Sequence, residues 1–123
     1  MKKLLFIQTG MGVDVHGQDV TKASERAVRN AIYHNSMPGI VDLLPDGNLN
    51  AMEVVVKLAL PADFSELDQA AVKKLIPYGT VTLDLQVGGM KTTSGIYLSE
   101  KNDHNELMYI VIASVEVYYE EEK

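Results

Sequence analysis

The chain contains no cysteine. That excludes a disulfide framework, a cysteine-ligated zinc site and a thiol nucleophile, and it suits a reducing compartment, so a cytoplasmic location is expected. Positive charge is scarce as well: 11 Lys and Arg stand against 17 Asp and Glu, for a net charge of −6. The arginines are Arg26 and Arg29 alone. Phosphate-backbone binding needs a basic stripe, so nucleic acid is not an expected partner. Long hydrophobic runs are missing too. No stretch approaches the roughly 20 apolar residues of a membrane span, and no membrane partner is expected. Leu4-Leu5-Phe6-Ile7, following Met1-Lys2-Lys3, is too short for the apolar core of about seven to fifteen residues in a secretory leader.

What is present is ordinary for a globular protein: 46% hydrophobic and 23% charged residues over a length of 123. This predicts one domain, residues 1–123, with a core that needs no staple. Residues 3–9 are apolar on both faces, as in a central strand. A glycine-rich loop follows. A helix is predicted over 20–34, capped by Asp19 or Thr21, with Ala23, Ala27, Val28, Ala31 and Ile32 on its apolar face. Lys22, Arg26 and Arg29 share the outer face. Residues 40–44 carry no assignable pattern. After the turn at Pro45-Asp46-Gly47-Asn48, a second strand is predicted over 50–60. Asp63 and Glu66 have capping-box spacing and predict a second helix to about Ile76. Residues 80–87 alternate apolar and polar without a fault, which predicts a third strand. Residues 91–95 form a polar loop, 96–98 a short strand, 100–106 a polar turn and 107–119 a long last strand. Tyr109, Tyr118 and Tyr119 belong to that strand or to an interface. Glu116 and Glu120-Glu121-Glu122 suggest a solvated, frayed end.

The predicted order is β-α-β-α-β-(β)-β. The fold class is α+β, a mixed sheet of four or five strands with two helices on one face. The polar face of the third strand then looks away from the helices, toward an expected subunit interface.

The chemistry-bearing stretch is Gly10-Met11-Gly12-Val13-Asp14-Val15-His16-Gly17. Two phosphate-binding readings fail. Gly12 and Gly17 have the glycine spacing of a Walker loop, but Gln18 stands where lysine is needed and Asp19 where the magnesium-binding hydroxyl should be. Gly10-x-Gly12 lacks the third glycine of a dinucleotide fingerprint, and Asp14 would repel a pyrophosphate. An acid–base or metal reading survives. In an extended segment Asp14 and His16 share a face, so the carboxylate can orient the imidazole as a general base, or both can bind a divalent metal. Asp19, His34, Glu53 and Asp84 are the unplaced further ligands that a metal would need. The competing reading is a turn in which Asp14 caps amides and His16 bonds the backbone. His34 at a helix C-terminus and His104 in a polar turn are read as structural or solvated. Lys91, Thr92 and Thr93, beside Ser94 and Gly88-Gly89, can hold a carboxylate or phosphate, or can simply be a loop.

GxGxDxHG, continued by Gln18-Asp19-Val20-Thr21-Lys22-Ala23 and Arg26-Ala27-Val28-Arg29-Asn30-Ala31-Ile32, resembles the signature of a small family of conserved hypothetical proteins named after a Listeria locus. The resemblance implies that Gly10, Gly12, Asp14, His16 and Gly17 act together, and it transfers no activity. In element order the chain also resembles the trimeric fold of bacillus-type chorismate mutases, YjgF-type deaminases and cyanuric acid hydrolase domains. That resemblance implies a homo-oligomer, a trimer by preference, with ligand sites at subunit interfaces. The arginines with which those enzymes grip carboxylates have no counterpart on the strands here.

These observations lead to an expected homo-oligomer that binds a small polar metabolite or a metal near a subunit interface. Asp14 and His16 are the candidate catalytic pair. Gly10, Gly12, Gly17, Lys91, Thr92 and Thr93 are the candidate ligand-binding residues. No cofactor is specified. The alternative is a non-catalytic assembly protein in which the motif is a conformational lock.

Overall fold

A computed structural model describes residues 1–121. Its strands are β1 (Lys2–Asp14), β2 (Glu53–Leu60), β3 (Thr80–Val87), β4 (Met90–Thr93) and β5 (Leu107–Glu120). Its helices are α1 (Val20–Ile32), α2 (Ile40–Leu43) and α3 (Gln69–Lys73). The five strands form one sheet in the order β1-β5-β2-β3, with β4 also on β5. β5 is its spine. One side of β5 runs antiparallel to β1 along its length. The other side pairs with β4 through Leu107–Ile110 and with β2 through Ile112–Tyr118. β2 and β3 are parallel, with Val54 opposite Val81 and Leu58 opposite Leu85, joined by the crossover that carries α3. The α+β mixed sheet is thus as expected, with five strands.

Alternation sets the core. Val54, Val56, Leu58 and Leu60 of β2 and Val111, Ala113, Val115 and Val117 of β5 point to one face and are buried. Ala23, Ala27, Val28 and Ala31 of α1 and Val72 of α3 cover them. Each fully buried leucine or valine contributes on the order of 1.5–3 kcal/mol. The opposite face is uncovered. There Ile7, Met11, Ile112 and Met90 are each about half exposed, and Lys57 pairs with Glu116 at 3.2 Å. No described helix is long and apolar enough to cross a membrane.

Several boundaries differ from expectation. β1 does not stop at residue 9 but runs through Gly10 and Gly12 to Asp14. These glycines serve helix packing rather than ligand approach. A Cβ on Gly12 would collide with the Ala23 carbonyl and the Ala27 amide of α1, and one on Gly10 would lie 2.5 Å from the Ala31 nitrogen. The contact is reinforced by Asn30, whose Oδ1 accepts the Met11 amide of the edge strand at 3.0 Å. The second helix is shorter than its apolar pattern suggests. Asp63 caps only a 3₁₀ turn, Phe64–Glu66, while Asp68 accepts the Ala71 amide and starts α3. Lys91, Thr92 and Thr93 belong to β4 rather than to a loop, and residues 96–98 form no strand. α1 ends at Ile32, with Tyr33 as its C-cap, so His34 lies beyond it. Glu116 and Glu120 are inside β5, and Glu122 lies outside the described residues.

Because a Cβ at Gly12 meets helix backbone rather than the end of a flexible side chain, Gly12→Ala costs about 3 kcal/mol, at the upper end of overpacking effects. Thermal unfolding followed by circular dichroism will show a melting temperature lower by roughly 10 °C or more. A shift of less than about 2 °C would mean that α1 can lift off β1 freely.

Candidate functional site

The chain leaves β1 at Asp14 and enters α1 at Val20 through a tight turn. Asp14 is buried at its start. Its Oδ2 accepts the Asp19 amide at 2.8 Å, and its Oδ1 lies 3.3 Å from the Arg26 Nη1. The same Nη1 donates to the Val13 carbonyl at 2.6 Å. Asp19 in turn caps α1 by accepting the Thr21 and Lys22 amides. Between these anchors Gly17 takes φ +99° and Gln18 φ +50°. Glycine accepts that geometry without cost, whereas glutamine must be held in it.

What holds Gln18 is the segment before β5. Its Nε2 reaches the Leu107 carbonyl (2.7 Å), the Asn105 carbonyl (3.3 Å) and Asp103 Oδ1 (3.0 Å). Its Oε1 accepts the His104 amide at 2.8 Å. The residue that disqualified a Walker loop is therefore the strap between two distant turns.

Asp103 is the centre of the arrangement. Its side chain is fully shielded from solvent. Oδ1 accepts the Gly17 amide at 2.6 Å and the Gln18 Nε2; Oδ2 accepts the Leu98 amide at 2.9 Å and faces His16 Nδ1 at 2.7 Å. Burial alone would push this carboxyl up. The Leu98 and Gly17 amides, then His16 and Gln18, outweigh it and hold the carboxyl well below the usual carboxylate range. An ionised carboxylate only accepts, so His16 Nδ1 carries the proton and donates it. When the ring carries that proton alone, Nε2 is a bare acceptor. The ring is one-fifth exposed. It borders an open cleft of about 480 Å³, with Lys22 and Arg26 of α1, Asp14, and Glu100 and Lys101 from the 3₁₀ turn Ser99–Lys101.

This corrects the expected pairing. Asp14 does not orient His16, because the chain turns after β1 instead of staying extended; Asp14 closes the turn and binds Arg26. Asp103 orients the imidazole, from 87 residues away. Gly17 stays at the site, since its left-handed φ lets the loop pack against the turn that carries Lys101, with 3.2 Å from a Cβ position to the Lys101 carbonyl. Gly10 and Gly12 lie beneath α1. Lys91, Thr92 and Thr93 do not reach the cleft within one chain. In the register Asp14, Tyr109 and Lys91 form one row, with β5 between the two candidates. The further metal ligands are not gathered either: Asp19 caps α1, Glu53 pairs with Lys2 at 2.9 Å, and no group of three or more His, Asp or Glu among the described residues could hold a metal ion. Asp103, Gln18 and Arg26 were not expected as site residues. The available signal was the cluster of turn-forming side chains in Asn102-Asp103-His104-Asn105, with Asn102 left-handed at φ +65°. Nothing in it names His16.

Residues 4–117 match the model of a family described as "Conserved hypothetical protein (Lin0512_fam)". Among curated proteins none matches the chain. Among solved structures, an FtsZ-like protein of unknown function from Nostoc punctiforme is similar, with a TM-score of 0.77, 39% identity and 98% of each chain covered.

The depressed Asp103 carboxyl has a pH consequence. Its stabilising effect is complete above the ordinary carboxylate range near pH 4 and is lost as pH falls below it toward the folded-state value. Asp103→Asn cannot titrate. Its melting temperature will lie well below that of the wild type above about pH 5, and the gap will narrow below about pH 4. A gap independent of pH over that range would show that the ionised carboxylate does not hold the two turns together.

Proposed function

We propose that this chain, which belongs to the Lin0512 family of conserved hypothetical proteins, binds a small polar metabolite in the cleft beside His16 and moves a proton to or from it. The observation that carries this is the 2.7 Å contact between His16 Nδ1 and the buried Asp103 carboxylate. It fixes one tautomer, aims the ring, and would stabilise the imidazolium formed when Nε2 takes a proton. His16 lines the cleft, so a ligand there meets its ring, and the bonds to Asp103, Gly17 and Gln18 keep the loop from relaxing around it. Asp14 is a positioning residue in this reading.

Proton transfer can be detected before the substrate is identified. The protein is incubated in D2O with a panel of small oxo acids, hydroxy acids and sugars, and deuterium incorporation is followed by NMR. At least one compound will exchange faster with wild type. His16→Gln will lower that rate by about 10²–10⁴-fold while melting close to wild type. If no compound exchanges, or if His16→Gln exchanges at the wild-type rate, proton transfer by His16 is wrong.

A second reading, a homo-oligomeric assembly protein with the motif as a conformational lock, is favoured by the uncovered sheet face. Ile7, Met11, Ile112 and Met90 there are large, apolar and half exposed, a pattern that marks interaction surfaces when contiguous. Light scattering at micromolar concentration then gives a multiple of 13.6 kDa, three copies being the preferred number. Met11→Glu with Ile112→Glu will return it to the monomer mass. A monomeric wild type rejects this reading.

A further inference from the structure

We propose that the His16 cleft selects a small anion, a carboxylate or phosphate ester, and that Lys22, Arg26 and Lys101 determine this selection. The inference rests on the cleft being a ligand site, as above, and adds the charge of what it takes.

The chain carries a net charge of −6, yet three of its 11 cationic side chains line this one cleft. The acids there offset them only in part: Asp14 pairs with Arg26 at 3.3 Å, and Glu100 lines the same cleft. Asp14 is buried and spends its oxygens on the Asp19 amide and on Arg26. Glu100 makes no ion pair with Lys101 or Lys22, and neither lysine is ion-paired among the described residues. Lys22 and Arg26 are four apart on α1, so they project from the same side of the helix. Like charges at that spacing repel, and Arg26 has its counter-charge in Asp14 while Lys22 makes no ion pair among the described residues. Arg26 is also pre-aimed. Nη1 is anchored on the Val13 carbonyl and Asp14, while the described residues leave its Nε and Nη2 donors unused, and a guanidinium's free edge suits an oxyanion.

Lys101 arrives from the opposite wall. Its turn lies against Gly17 and ends two residues before Asp103, so the bonds that orient His16 also fix the backbone that carries this cation. An anion between the walls would meet positive charge on both sides with His16 Nε2 beside it. Negative charge developing on such a ligand during proton removal would be stabilised by the same cations.

The test uses the full chain at low ionic strength, with the ring resonances of His16 observed by NMR. The probes are inorganic phosphate, malonate, and glycerol as a neutral control. Phosphate or malonate will shift His16 saturably, glycerol will not, and added NaCl will weaken the effect. Phosphate against malonate tells which oxyanion is preferred. Lys22→Gln combined with Lys101→Gln will weaken binding about tenfold or more with little change in melting temperature, since neither side chain is buried. The inference is overturned if no anion shifts His16 saturably up to roughly 10 mM, if glycerol shifts it equally, or if the double variant binds as wild type does. The two readings fail separately. Anion binding without deuterium exchange retains the selection and rejects proton transfer. Exchange into a neutral compound without anion binding does the reverse.

Discussion

The structure around His16 depends on one buried charge. A carboxylate removed from water is costly unless its lone pairs are filled by donors. Asp103 fills them with two backbone amides, a side-chain amide and an imidazole N–H. These donors come from two turns far apart in sequence, so satisfying the charge and docking the turns are one event. The left-handed backbone at Gln18 and Asn102 is tolerated because the bonds around Asp103 over-determine it. Orientation of His16 follows as a by-product of that satisfaction.

The motif divides at Asp14. Before it, Gly10 and Gly12 have no side chain because α1 lies directly on β1, and the bare backbone lets the helix approach. After it, the chain turns and the residues become polar and partly exposed. Asp14 joins the halves by binding the Asp19 amide at the entry to α1 and the Arg26 guanidinium further along the helix. The helix that seals the core therefore also delivers Lys22 and Arg26 to the cleft. Core packing and the make-up of the cleft are coupled through α1, and a change in how it seats on β1 would move both cations relative to His16.

Much of this was legible in residue pattern. The alternation of Val81, Leu83 and Leu85 against Thr82, Asp84 and Gln86 marked β3 and its faces. Asp19 or Thr21 marked the start of α1, with Asp19 proving to be the cap, and Ala23, Ala27 and Ala31 marked its buried side. His16 stood out by its place in the motif. Other features were misread for physical reasons. Gly10 and Gly12 looked like a loop because glycine is depleted in strands, and only the helix packed above them explains their presence. Residues 63–76 looked like one helix because apolar spacing does not show that Asp68 ends the approach and restarts the chain. Lys91-Thr92-Thr93 looked like a loop because a short strand owes its existence to the partner it pairs with, here Leu107–Ile110.

The sequence by itself determined much of the local order: the strands at the centre of the sheet, the helix α1, which faces are apolar, and that a histidine sits beside a tight glycine turn. These follow from periodicity and from the conformations that glycine, proline and the capping residues permit. Only the tertiary structure decided that Asp103, rather than the nearby Asp14, holds His16. A hydrogen bond depends on a few ångströms in space, and the 87 residues between those two side chains are spanned by folding, which sequence spacing does not measure.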